Sequence, residues 1–159
     1  MGTIDYKPAA WAGVITGIVF MMLEMILVPL FMGGSPWGPP RMIAAILLGK
    51  EVLPPPATFD FGILMAALVV HFPISILFAI VTAFIIDKMS FVMALVVGTV
   101  LGLLLYFIGF YLMTEVWPWF AKARTWVTIF AHLVFGLVAA WAYFKIRARD
   151  VVQERTTTT

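Results

Sequence analysis

Four uninterrupted apolar stretches constrain the fold of this chain more than any other feature. They cover roughly residues 10–32, 61–86, 91–113 and 126–144, and about 20 apolar residues suffice for a helix to cross the hydrocarbon of a bilayer. The strands of a membrane β-barrel would be only about 10 residues long and would alternate in polarity. The sequence therefore predicts an all-α integral membrane protein, in which residues 1–159 form a single domain, a bundle of four transmembrane helices.

The composition and the placement of positive charge support a membrane location. The chain is 64% hydrophobic and 11% charged, whereas soluble domains carry about 25% charged residues. Four spans place the two termini and the turn 87–90 on one side, which then holds six of the ten Lys and Arg residues. Because cytoplasmic segments are enriched in these residues, we expect both termini in the cytoplasm and localisation in a bacterial inner membrane. The lipid bilayer is an expected partner, and nucleic acid is not.

The first connection, 33–60, is the longest segment outside the predicted spans. Prolines near both of its ends fix extended backbone, and 41–49 has the pattern of a short helix that ends at Gly49. This helix is too short to cross a bilayer and too apolar for water, so we expect it to lie at the membrane surface or to cover the outer opening of the bundle. Asp60 and Ser90 are the predicted N-caps of the second and third spans. The tail, approximately 150–159, is predicted to be disordered.

The two halves of the chain resemble each other. The first span contains Gly13 and Gly17, and the third contains Ala94, Gly98 and Gly102 at the corresponding place. Each of these spans is followed by a Pro-Trp pair and then by a span that contains one histidine. The sequence therefore predicts a duplicated helical hairpin, with the two repeats related by an axis along the membrane normal.

Three ionisable residues lie inside the apolar stretches, and such residues are candidates for functional sites. At 1.5 Å of rise per residue, Glu24, His71 and His132 lie about 12, 15 and 9 Å from the outer ends of their spans. They therefore share one layer, in which we expect the two histidines to face each other. Tyr106 lies at nearly the depth of Glu24 and can supply a hydroxyl group.

Small residues follow each histidine at the fourth position, Ser75 after His71 and Gly136 after His132. Small residues allow membrane helices to approach closely. We therefore expect the second and fourth spans to touch below the histidines and to leave space at their level.

Three kinds of chemistry fit these residues. Haem b fits His71 and His132 as axial ligands, with Arg41 or Arg124 next to its propionates. A divalent first-row ion fits the two histidines together with Glu24, and the methionines around Glu24, Met21, Met22 and Met25, suit Cu(I). A proton relay from Glu24 to a histidine fits a small transporter that acts as an oligomer.

A structural role competes with all three, because a histidine in a membrane span can simply form an interhelical hydrogen bond. Enzyme motifs such as a Gly-rich phosphate loop, a nucleophile elbow or HExxH are absent from the sequence, so we expect no enzymatic activity. The leading expectation is an accessory or structural subunit of a membrane assembly, with other subunits or further copies of itself as partners. A haem- or metal-binding protein and a proton-coupled transporter are the alternatives.

Overall fold

The computed structural model describes residues 6–157, with side chains described for 6–149. The chain is 85% helical, and the part described contains no strand. The long helices are α1 (Tyr6–Met32), α3 (Phe61–Ile86), α4 (Phe91–Phe107) and α5 (Trp126–Thr157), and a short helix, α2 (Gly38–Leu48), lies in the first connection. Four helical segments are long and apolar enough to cross a membrane. This confirms the predicted all-α class and the four candidate spans.

The helix ends follow local sequence signals. The Asp60 carboxylate accepts a hydrogen bond from the Ile63 N–H at 2.9 Å, and the Ser90 hydroxyl accepts one from the Met93 N–H at 3.4 Å. Both predicted N-caps are thus confirmed. α5 continues through 150–157, where the sequence predicts a disordered tail, because this segment contains no Gly or Pro to end the helix.

The two ends of the long helices differ in structure. At one end, called here the loop end, lie the connections 33–60 and 116–125. At the other, the turn end, the short segment 87–90 joins α3 to α4. There Asp87 accepts hydrogen bonds from the Tyr143 hydroxyl and the Arg147 guanidinium, each at 2.5 Å. These contacts attach the end of α3 to α5.

The long helices pack unequally. α1 packs along α3 on one side and along α5 on the other, and α5 also packs along α4. α3 and α4 make few contacts, although a short turn joins them. α1 and α5 therefore pack extensively against each other, whereas α3 and α4 do not.

Glycines set the closest helix contacts. A Cβ atom at Gly13 of α1 would lie 2.9 Å from the Ser75 carbonyl oxygen of α3, and one at Gly98 of α4 would lie 2.6 Å from the Gly136 carbonyl oxygen of α5. Ser75 and Gly136, the small residues that follow the histidines, thus pack most closely against α1 and α4. The second and fourth spans, α3 and α5, also touch. The closest contacts go to glycines on the neighbouring helices, because glycines offer flatter backbone surfaces.

Replacing Gly98 with alanine should lower the free energy of unfolding by about 1–3 kcal/mol, because the added methyl group meets the backbone of α5. Gly109 lies in the same transmembrane segment and is the matched control, since a methyl group added there would have nothing within 4 Å. Unfolding of Gly98→Ala and Gly109→Ala in mixed micelles by denaturing detergent measures the difference. Equal stability of the two variants would contradict the close backbone contact.

Candidate functional site

The loop end is built by arginines that bind backbone carbonyls. α4 continues beyond Phe107 as one π-helical turn, Ile108–Leu112, which leaves carbonyl groups without their regular α-helical partners. Arg124 donates from Nε to the Phe110 carbonyl at 2.6 Å. Arg41 donates to the carbonyls of Val52 and Thr58 at 2.8 to 3.2 Å. Both arginines, predicted to contact haem propionates, thus hold the connections in place.

A pocket of about 190 Å³, called here the Glu24 pocket, extends from the interior to the loop end. α2 forms part of its wall, and the indole N–H of Trp119 fixes α2 by donating to the Met42 carbonyl at 3.0 Å. The exposed residues Gly34 and Lys122 line the pocket at the loop end. Most of the wall is apolar, and it includes Phe20, Val28, Met32, Met42, Phe110 and Phe120.

The Glu24 carboxyl group lies in the interior part of this pocket. Its side chain is only 6% exposed. Thr128 of α5 lines the same pocket, and its hydroxyl pairs with that of Thr125 at 3.2 Å. The buried Oε1 atom of Glu24 has no hydrogen-bond partner among the described residues. A buried polar atom without a partner is costly. The pocket therefore contains one polar group whose hydrogen-bonding capacity the described residues leave unused.

The two histidines line a second, smaller space of about 70 Å³, called here the histidine cavity. Its walls come from all four long helices, and besides His71 and His132 they comprise Phe20, Ile74, Ser75, Leu105 and Phe135. The structure thus places the two histidines together, as the sequence predicted. Glu24 does not line this cavity.

The Phe20 ring is shared between the two spaces, since it lines both of them. Its centroid lies 5.7 Å from the His71 ring, 4.7 Å from the His132 ring and 5.2 Å from the Phe135 ring. One phenyl ring therefore contacts both imidazoles and lies between the Glu24 pocket and the histidine cavity.

Each imidazole is oriented by one backbone carbonyl. His71 Nε2 lies 2.9 Å from the Gly17 carbonyl oxygen of α1, and His132 Nδ1 lies 2.8 Å from the Thr128 carbonyl oxygen of its own helix. A carbonyl group only accepts hydrogen bonds, so each of these nitrogens carries the proton. In the neutral ring, Nδ1 of His71 and Nε2 of His132 are then acceptors. Only the His71 bond joins two helices, which is the structural role that the sequence left open.

Tyr106 lies beside the histidine cavity. It is 1% exposed, and its ring centroid lies 5.6 Å from that of His132. Its ring also contacts the Tyr111 ring at a centroid distance of 6.0 Å, and Arg124 lies 4.3 Å above the Tyr111 ring. Ser75 donates from its hydroxyl to the Phe72 carbonyl at 3.0 Å. The Ser75 hydroxyl is thus engaged within the protein.

The residues present do not fit a haem between His71 and His132. The Phe20 ring contacts both imidazoles, and the cavity of about 70 Å³ is far smaller than the macrocycle and its substituents. Among residues 6–149, no group of three or more His, Cys, Asp or Glu side chains is placed to hold a metal ion. Glu24, His71 and His132 are thus not gathered into the predicted three-ligand site, because Glu24 lies in the neighbouring pocket.

Comparison of the chain with protein-family models, with curated proteins and with solved structures found no significant match. The function is therefore inferred from the chemistry of the described residues.

Three residues of the site are not among those predicted from the sequence: Phe20, Thr128 and Lys122. Phe20 precedes Glu24 by four positions, and Thr128 precedes His132 by four, so helical spacing places each on the face of a selected residue. This helical spacing could have identified Phe20 and Thr128 from the sequence. Lys122 lies in a connection whose path no periodicity reveals.

The two histidines should be opposite tautomers. We expect His71 to carry its proton on Nε2 and His132 on Nδ1, because those nitrogens face carbonyl oxygens. The nitrogen-15 spectrum of the histidine-labelled protein in nanodiscs distinguishes the two forms, and His71→Gln and His132→Gln variants assign the signals. Identical tautomers in both rings would contradict the described hydrogen bonds.

Proposed function

We propose that this chain binds a small, largely apolar organic cation in the Glu24 pocket and receives it from the loop end. The observation that carries this proposal is the buried Glu24 Oε1 atom, which has no hydrogen-bond partner among the described residues and belongs to a side chain that lines a pocket of about 190 Å³. An ammonium group supplies both the hydrogen-bond donor and the charge that complement a carboxylate.

The rest of the pocket suits the apolar part of such a ligand. Phe20, Phe110 and Phe120 contribute aromatic rings to the wall, and aromatic faces attract cations within about 6 Å of the ring centroid. Ligand pockets are in general largely apolar with a few polar groups that fix orientation. A single ammonium group on a hydrocarbon chain matches this distribution.

Proton exchange follows from the same chemistry. A carboxyl oxygen that binds an ammonium group cannot also carry a proton, so the proton and the cation compete for Glu24. This competition supports the small proton-coupled transporter that the sequence offered as an alternative. Four helices seldom enclose a complete path, so we propose that the transporter acts as an oligomer.

Replacing Glu24 with glutamine should weaken the binding of hexylammonium at least about tenfold, because the charged partner is lost while the shape of the side chain is kept. Hexanol should bind the wild type and Glu24→Gln alike. Calorimetric titration in nanodiscs of one lipid composition measures the binding of both ligands. The partitioning of each ligand into the lipid is then the same for the wild type and the variant.

Lys122→Gln is the matched control, because Lys122 lines the same pocket at the loop end. Its removal should leave hexylammonium binding unchanged or make it tighter. If Glu24→Gln binds hexylammonium as tightly as the wild type does, the Glu24 carboxylate is not the partner of the ammonium group and the proposal is wrong.

We also propose that the four long helices form a bundle of two duplicated hairpins, with α2 at the membrane interface. The matched glycine contacts support the duplication: Gly17 of α1 meets Ser75, and Gly102 of α4 meets Gly136. Ser75 and Gly136 each follow a histidine by four positions. The weak contact between α3 and α4 then departs from the symmetry of the two hairpins and leaves room for the histidine cavity.

The distribution of Lys and Arg supports an orientation with the loop end outside and both termini in the cytoplasm of a bacterial inner membrane. Because the chain contains no cysteine, single cysteines can report this directly. Cysteine at Lys50 should react with a membrane-impermeant maleimide in intact cells, and cysteine at Lys88 should react only after lysis. The opposite pattern would reverse the proposed orientation.

A role as an accessory or structural subunit is our second proposal. The small connections between the described helices support it, since they leave no separate catalytic domain. Mild extraction from native membranes should then recover stoichiometric partner subunits. A divalent or copper ion is a separate proposal, which elemental analysis of the purified protein tests.

A further inference from the structure

The histidine cavity presents hydrogen-bond acceptors and no free donor. His71 and His132 are 7% and 6% exposed, and each uses its protonated nitrogen on a carbonyl group. The other nitrogen of each ring has no hydrogen-bond partner among the described residues. Ser75, the third polar residue of the wall, donates to Phe72. An occupant that satisfies this cavity must therefore bring two donors.

The remaining walls favour a neutral occupant. Phe20, Ile74, Leu105 and Phe135 are apolar, and no acidic side chain among the described residues lines the cavity. A charge buried without a counter-charge is strongly unfavourable. The volume of about 70 Å³ compares with roughly 10–15 Å³ for one water, so the cavity has room for a molecule of a few non-hydrogen atoms.

We propose that the histidine cavity binds a small neutral primary amine, which donates one N–H to Nδ1 of His71 and the other to Nε2 of His132. An amine nitrogen has two donors and one lone pair. One water molecule also brings two donors, but it leaves one lone pair more than an amine does without a partner and fills only part of the cavity, and an alcohol has only one donor. The short alkyl group of the amine contacts the apolar wall.

The position of the cavity suits entry from the bilayer. Ile74 of α3 and Leu105 of α4 line it on the two helices that make few mutual contacts. Ile74 is 48% exposed on the outer surface of the helices. A neutral amine dissolves in hydrocarbon, unlike its ammonium form, so it reaches this surface through the lipid.

The test uses nitrogen-15 histidine-labelled protein in nanodiscs, titrated with methylamine at alkaline pH, where a fraction of the methylamine is neutral. Sodium chloride keeps the ionic strength constant. We expect saturable shifts of the unprotonated nitrogens of both imidazoles. Trimethylamine, whose neutral form has no N–H, should produce no such shifts.

Three variants make the test specific. His132→Gln should weaken methylamine binding about tenfold, since one hydrogen-bond acceptor changes. Ile74→Trp should abolish binding by filling the cavity from the lipid side without altering either histidine. Gly109→Ala should leave methylamine binding unchanged, because the added methyl group has nothing within 4 Å. Shifts of the two imidazole nitrogens report on the histidine cavity and not on the Glu24 pocket.

The proposal is overturned if methylamine causes no saturable shift, or if trimethylamine causes the same one. It is also overturned if a water resonance contacts both imidazoles and methylamine fails to displace it, since the cavity is then a water site only. Binding that persists in Ile74→Trp would place the amine elsewhere.

Discussion

The contact of backbone against backbone at the glycines determines where this molecule can have internal space. Gly98 and Gly102 meet Gly136 so closely that any side chain would displace a helix. Gly13 meets the α3 backbone in the same way, whereas Gly17 meets the side chains of Ser75 and Phe72. The histidine cavity directly borders these contacts, since Ser75 lines it. The Glu24 pocket extends from there to the loop end, where its wall carries larger side chains.

The polar groups of the interior follow a simple division. Most are satisfied within the protein: Asp87 by Tyr143 and Arg147, the irregular end of α4 by Arg124, and one nitrogen of each histidine by a carbonyl. Three buried oxygens among the described residues have no hydrogen-bond partner: Glu24 Oε1, Thr16 Oγ1 and Thr82 Oγ1. Of these three residues, only Glu24 lines one of the two internal spaces. Because an unsatisfied buried polar group is costly, this carboxyl oxygen is the physical basis for interpreting the Glu24 pocket as a binding site.

The sequence predicted what depends on hydrophobicity and local signals. Span lengths, the caps at Asp60 and Ser90 and the pairing of His71 with His132 follow from apolar runs, N-cap chemistry and depth along a helix. The sequence could not predict the partner of each small residue, because several glycines on other helices can pack against Ser75 or Gly136. The sequence also could not predict that Glu24 lies in a different space from the histidines. The depth of a residue along its helix does not determine on which side of the Phe20 ring its side chain lies.

The aromatic wall shared by the two internal spaces has a thermodynamic consequence. A phenyl ring occupies one position at a time, so a shift of Phe20 that enlarges one compartment reduces the other. Two occupants that prefer different ring positions would oppose each other, and linkage requires that each lower the affinity of the other by the same factor. A single side chain would thereby couple the occupancy of two chemically different compartments, without any rearrangement of the helices.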